Sequence, residues 1–204
     1  MSRPLPSALV TAESHAPHDP VPFLTAREFL RQPLEVGSAF PASRFLVDAV
    51  LEPLDLADAR LVVEFGPGSG VFTRALLDRM PANSHLVAID ISPRFIRHLS
   101  LILPDPRLHA VTGSAARLGS ILKRLDLGRA DYIVTGIPFS TMDPATAAGI
   151  VQTSADNLAE GGQMLAYQMR DAVGSLMAQR FGRVETSMCW RNIPPCRIYR
   201  STAS

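Results

Sequence analysis

Lysine is almost missing from this chain: Lys123 stands alone beside nineteen arginines in 204 residues. Arginine suits bidentate anion contacts better than lysine, although codon bias produces the same skew. Neither sign of charge is in excess, since 20 basic side chains meet 19 acidic ones for a net charge of +1. No global field therefore draws the protein to nucleic acid. Cysteine is scarce too. Cys189 and Cys196 have neither CxxC spacing nor partner histidines, which suggests no structural zinc site and reads as a reducing, cytosolic setting. No apolar run reaches the roughly 20 residues of a membrane span. The opening "MSRPLPSALVTAESHAPHDP" lacks a long apolar core and is broken by prolines, so it reads as a disordered lead-in rather than a signal peptide. His15 and His18 fall in that lead-in and read as solvated.

What is present is enough for one folded domain, with 47% apolar residues. From Leu61 onward, strand-like and helix-like stretches alternate. "RLVVEF", "HLVAID", "RLHAVTG", "DYIVTG" and "GQMLAYQM" read as strands. Between them, "VFTRALLDRM", "SPRFIRHLSLIL", "SAARLGSILKRL", a helix from about Asp143 through "PATAAGIVQTSADNLAEGG" and "RDAVGSLMAQRF" read as helices. Ser92 is the expected N-cap of the second, with Pro93 at its first position. "RVETSMCWRN" and "CRIYRST" flank the turn "IPP" and form a closing hairpin that adds an antiparallel strand. Such alternation predicts a mostly parallel sheet covered on both faces, with the site at the strands' carboxyl ends.

The first of those carboxyl ends carries the most specific signal, "EFGPGSG". Gly66, Gly68 and Gly70 make GxGxG, but Val71 stands where a dinucleotide fingerprint wants its last small residue. Glu64 precedes the first glycine, and a carboxylate there repels a pyrophosphate while suiting a cationic amino group. S-adenosylmethionine has an ammonium, a sulfonium and no phosphate. Asp90 closes the second strand, where an acid accepts hydrogen bonds from both ribose hydroxyls. The loop is read as one for S-adenosylmethionine, with S-adenosylhomocysteine as product.

These residues resemble the Rossmann-like S-adenosylmethionine-dependent methyltransferases from Leu61 to the C-terminus. The resemblance implies an α/β fold: a seven-stranded, mostly parallel sheet with helices on both faces, here preceded by an N-terminal amphipathic helical extension. It implies cofactor contacts from Glu64, Phe65, Gly66, Pro67, Gly68, Gly70, Asp90 and Ile91, the last packing on adenine. After the third strand "GSAARL" has Ser114 where the family often has an acid, followed by Ala115, and Gly136 lies beyond the fourth strand. No metal site is expected.

Substrate class turns on "VTGIPFST". Amino-methylating enzymes of DNA and ribosomal RNA carry Asn or Asp, then proline and an aromatic. This chain keeps Pro138 and Phe139 but has Gly136 at the polar position. Losing that acceptor leaves a buried donor unpaired, at about 1–3 kcal/mol. The N-terminal part points elsewhere. Thr25 and Glu28 form a capping box, and at helical spacing Phe23, Ala26, Phe29, Leu30 and Leu34 share one face flanked by Arg27 and Arg31. That helix either lies on a membrane surface or packs over the domain's own core. "GSAFPASRFL" looks like the Gly-Ala-x-x-Pro-Ser-Ser-Arg segment of bacterial phospholipid N-methyltransferases, and "RNIPPCRIYR" like their Asn-x-Pro-Pro-Ala-x-x-Tyr ending. "GIPF" matches their Gly-Leu-Pro loop.

That resemblance implies successive methylation of phosphatidylethanolamine toward phosphatidylcholine. It implies a cytoplasmic enzyme held peripherally at the inner face of the cytoplasmic membrane, with a phospholipid substrate and an anionic surface as partners and no nucleic acid. The chain divides accordingly into a lead-in over 1–20, a helical extension over 21–58 serving as membrane contact and lid, and a methyltransferase domain over 59–204. Before each transfer the headgroup ammonium must lose a proton. Glu35, Tyr167, Asp143 and His109 are the candidate bases. Phe40, Phe139, Tyr167 and Trp190 are candidate faces for a quaternary ammonium, and Arg44, Arg170, Arg191 and Arg197 candidate forks for phosphate. Asn192 is added from its matched segment. An RNA or small-amine methyltransferase, or a non-catalytic cofactor-binding relic, are the competing readings.

Overall fold

The computed structural model describes residues 42–204. Glu35, Phe40 and the amphipathic stretch after Phe23 lie outside the described residues.

The described chain opens with helix α1 (Arg44–Leu51), capped by Ser43, whose hydroxyl accepts from the Leu46 amide. Strand β1 (Leu61–Phe65) is buried at every position. A strand with partners on both sides and helices on both faces has no solvated face, so it reads as an unbroken apolar run. Then follow α2 (Val71–Leu77), β2 (His85–Asp90) and α3 (Pro93–Ile102). Ser92 caps α3 and Pro93 begins it, where proline's missing N–H costs nothing. Strand β3 (Leu108–Thr112) leads through a short 3₁₀ turn into α4 (Leu118–Arg124), and β4 (Ala130–Thr135) follows. The chain closes with α5 (Pro144–Asp156), β5 (Leu158–Gln168), α6 (Val173–Phe181), β6 (Glu185–Cys189) and β7 (Cys196–Thr202).

The seven strands form one sheet in the order β3-β2-β1-β4-β5-β7-β6. The first five are mutually parallel, and β7 runs antiparallel between β5 and β6. One core joins α1, α2 and α3 to one face through Leu46, Val50, Phe72, Leu76 and Leu99. The other joins α4, α5 and α6 to the opposite face through Leu118, Ile121, Ile150 and Met177. The sheet order reverses between β1 and β4, and a crevice forms outside the carboxyl ends of strands at such a point.

Two boundaries differ from the sequence reading. The helix from Asp143 stops at Asp156, and β5 begins at Leu158 and takes up "LAEGG" as strand. Its pairing with β4 slips between Ala130 and Tyr132, a local irregularity with no signature in side-chain periodicity. The last hairpin is also shorter than read, since β6 ends at Cys189 and leaves Trp190 to Pro195 as the turn. Among the described residues no helix is long and apolar enough to cross a membrane.

Candidate active site

The β1–α2 loop is built around Glu64, which is 1% exposed. Its Oε2 accepts a 2.6 Å hydrogen bond from the Thr73 hydroxyl. Its Oε1 is buried and has no hydrogen-bond partner. Burial pushes the carboxyl up to about 7, Thr73 pulls against that rise, and the charge of Asp90 adds to it. A buried acid with one idle oxygen is costly unless a donor arrives. The donor set it wants is cationic.

The three glycines beside it have different tasks. Gly66 adopts φ +73°, and a Cβ there would lie 2.8 Å from Ile137 Cγ2, so only glycine lets the β1 and β4 loops meet. At Gly68 an added Cβ would meet nothing nearer than 4.0 Å. Gly70 has a different task, because its Cβ would strike Leu99 at 2.7 Å where α3 packs closely. Pro67 closes the turn by accepting from the Gly70 amide at 2.8 Å. The Phe65 side chain is wholly buried in the far core, and only its carbonyl, which accepts from Gly136, borders the site.

Asp90 ends β2, and its Oδ1 accepts from the Ser92 amide at 2.8 Å. Ile91 beside it is 54% exposed, so an apolar side chain stands open next to the acid. Ser114 caps the 3₁₀ turn, with its hydroxyl accepting from Ala116 at 3.3 Å. Ala115 is buried beneath it.

On the β4 side the central fact is Gly136. A Cβ there would lie 2.3 Å from the Tyr167 hydroxyl oxygen. Tyr167 comes from β5 and stacks on Phe72 of α2, with centroids 4.4 Å apart and planes at 14°. Burial, then the Glu64 charge, hold its phenol far above the ordinary range, so it is a neutral hydroxyl and not a phenolate base. The same loop is fixed by Gln168, whose Nε2 donates to the Ile137 carbonyl at 2.6 Å, and by Thr135, whose hydroxyl accepts from the Ile137 amide at 3.4 Å. Phe72, Thr73, Thr135 and Gln168 were not singled out from sequence. A polar residue at the carboxyl end of an otherwise apolar strand is the signal that Thr135 and Gln168 offered.

Several expected site residues prove to hold the protein together. Asp143 caps α5, accepting from the Ala145 and Thr146 amides at 3.0 and 3.1 Å. Hydrogen bonding from Thr146, then from Ala145, holds its carboxyl below the usual range, so it is a poor proton acceptor. His109 lies near the amino end of β3, paired with His85 at 3.1 Å, on the edge opposite the crevice. Burial and then His85 lower its pKa. Phe139 is 2% exposed within the core and presents no open ring face. Asn192 accepts from the Ser43 amide at 3.0 Å and donates to the Pro194 carbonyl at 2.8 Å and the Cys196 sulfur at 3.4 Å. It ties the last turn to α1. Arg197 is engaged by Asp171 at 3.1 Å. Arg44, Arg170, Arg191 and Trp190 stand exposed along the carboxyl edge. The Arg191 and Arg44 guanidiniums sit 3.6 and 4.8 Å from the Phe45 ring centroid.

An open glycine loop beside a half-satisfied buried acid fits the amino-acid end of S-adenosylmethionine. With the sheet order it defines the class, an S-adenosylmethionine-dependent methyltransferase. The chain belongs to the methyltransferase small domain family, whose model matches residues 39–190. It is similar to the ornithine lipid N-methyltransferase of Singulisphaera acidiphila, at 25% identity over 179 residues, 87% of this chain and 93% of that protein. The ribosomal RNA small subunit methyltransferase A of Thiobacillus denitrificans is 32% identical over 110 residues, 53% of this chain and 40% of that protein. N-methyltransferase NodS from Bradyrhizobium japonicum WM9, in complex with S-adenosyl-L-homocysteine, shares the fold with a TM-score of 0.66 at 17% identity, covering 88% of this chain and 98% of that one.

Proposed function

We propose that the protein methylates the primary amine of a membrane-lipid headgroup, with phosphatidylethanolamine as substrate and successive transfers toward phosphatidylcholine. The observation that carries this reading is the pairing of Gly136 with Tyr167. The space a polar side chain would take at position 136 is filled by a phenol hydroxyl. A rotatable hydroxyl suits a tetrahedral amine, whereas a planar nucleobase amine is held by an amide or carboxylate. Similarity along most of the chain to a lipid N-methyltransferase supports the same reading.

The cofactor supplies an electrophilic methyl on a sulfonium. On this reading the chain's residues do the rest. Glu64, whose Oε1 is unpartnered, would receive the cofactor's ammonium, Asp90 would hold the ribose, and the backbone from Gly66 to Gly70 would approach its amino-acid end. In the first two transfers the Tyr167 hydroxyl would accept a hydrogen bond from the remaining N–H of the incoming amine and so align its lone pair for in-line attack. In the third, where no N–H remains, the hydroxyl and the Phe72 stack would position the amine by contact. The proton that precedes each transfer leaves to water at the open rim, since Asp143 and His109 are committed elsewhere.

The ribosomal RNA relatives favour a second reading, a nucleobase amine, through their match to roughly half the chain. One assay separates the two. Labelled S-adenosylmethionine is incubated with phosphatidylethanolamine vesicles, with vesicles of an ornithine-bearing lipid, and with ribosomal RNA. Mono-, di- or trimethylated phosphatidylethanolamine on chromatography is the expected product. Label in RNA alone overturns the lipid reading, and label in the ornithine lipid alone overturns the headgroup.

A further inference from the structure

The turn between β6 and β7 presents an unusual surface. Trp190 is 74% exposed and Ile193 85% exposed. Pro194 and Pro195 are exposed beside them. Met169, just past the carboxyl end of β5, is 46% exposed. Single exposed apolar residues need no explanation, but these share one edge of the sheet. β7 leaves the turn at Cys196, and the next residue, Arg197, pairs with Gln168 at the end of β5. The apolar turn therefore stands at the carboxyl edge of the parallel strands, three residues before Ile198, the register partner of Tyr167.

The turn is also held firmly. Asn192 is 7% exposed and bonds to the Ser43 amide, the Pro194 carbonyl and Cys196. Arg191 lies flat over Phe45. Trp190 and Ile193 are thus projected from a fixed base. The unpaired charge around them is positive. Arg44, Arg170 and Arg191 are exposed and make no ion pair among the described residues. Asp171 at the same edge is engaged by Arg197 and Tyr199.

We infer that this turn is a membrane-docking element, with Trp190 and Ile193 entering the interface of an anionic bilayer and Arg44, Arg170 and Arg191 facing its headgroup phosphates. Tryptophan favours the headgroup level of a bilayer, and arginines add attraction to anionic lipid. A few interfacial residues bind reversibly, which suits an enzyme that must reach many lipid molecules. The choice of a bilayer as the partner rests on the lipid-substrate reading.

Trp190 is the chain's single tryptophan, so intrinsic fluorescence reports this turn alone. The full-length protein is titrated with vesicles of phosphatidylcholine and phosphatidylglycerol in equal parts, and with the same vesicles carrying brominated acyl chains. The expected result is emission moving to shorter wavelength, with quenching by the brominated lipid. Ile193→Asp lowers the partition coefficient in a sedimentation assay by about tenfold, and S-adenosylhomocysteine affinity stays unchanged as the folding control. Three results overturn the inference. One is failure to sediment with the vesicles. Another is sedimentation with unmoved emission, which puts the contact elsewhere. The third is short-wavelength emission already present without vesicles and unaltered by them, which means that residues 1–41 or a second copy cover the turn. Fluorescent docking without lipid methylation supports the inference while refuting the lipid-substrate reading.

Discussion

Two carboxylates at the same edge of the sheet have opposite fates. Glu64 is buried, has one oxygen idle and is pushed up to about 7. Asp143 is exposed, spends an oxygen on two backbone amides and is held below its ordinary range. Both are acids at the end of a strand or the start of a helix, and residue type alone does not separate them. Satisfaction of their hydrogen bonds does. The same contrast runs through the whole site: the β1 half keeps polar capacity in reserve, while Asn192 and Arg197 on the β7 half have already committed theirs to the protein. Reserve marks ligand, and commitment marks structure.

The sharpest way to break this contrast is at Gly136. Gly136→Asn places a side chain where the Tyr167 hydroxyl sits, and overpacking of this kind costs about 1–3 kcal/mol. Methyl transfer should fall below detection, with a lowered melting temperature by circular dichroism. Retention of lipid methylation in this variant would show that the phenol does not align the amine.

Glu64→Gln should weaken S-adenosylhomocysteine binding in calorimetry by about ten- to a hundred-fold, the worth of a hydrogen bond to a charged group. The wild type should show the same dependence through pH. A carboxyl pushed up from 4.5 to about 7 is protonated in much of the population just below neutrality, so affinity should fall as pH drops below that point, by about tenfold per unit. Stability of the ligand-free protein should run the other way. The raised value means that the folded state holds this proton more tightly, so its contribution is complete below 4.5 and is lost as pH rises through about 7. Glu64→Gln should remove that slope.

A smaller effect is expected at the phenol. Tyr167→Phe keeps the stack on Phe72 and removes only the hydroxyl, so kcat should drop about tenfold, the cost of one hydrogen bond, with cofactor affinity unchanged. The smallest change belongs to the committed acid. Asp143→Ala should lower the melting temperature slightly by uncapping α5 and leave turnover per folded molecule intact. Reduced kcat without reduced stability would restore Asp143 to the chemistry.

The strand and helix order from β1 to β7 was legible because buried parallel strands read as apolar runs between amphipathic helices. The cofactor loop was legible because glycines and two acids at fixed spacing have few other uses. The start of β5 was not, since a strand that slips register over two glycines carries no period. Asp143, Asn192, Phe139 and His109 were read as site residues, and the structure finds them engaged with backbone, core or a neighbouring histidine. Residue type and motif position do not say whether a side chain faces a ligand or a neighbouring backbone. Thr73 and Gln168 were missed for the converse reason, because each acts through a tertiary contact, Thr73 on Glu64 and Gln168 on the Ile137 carbonyl.

The stack of Phe72 on Tyr167 has a kinetic meaning. Phe72 belongs to the helix that begins at the cofactor loop, and Tyr167 lies against Gly136, where the proposed reading brings the amine. The two rings are in stacking contact, so a shift of one changes the surface the other packs on. If the cofactor settles the loop and through it the phenol, the expected order of addition has the cofactor first and the amine second. In initial-rate experiments S-adenosylhomocysteine should compete with the methyl donor and not with the amine, so that accumulating product slows the enzyme at the step that admits its cofactor.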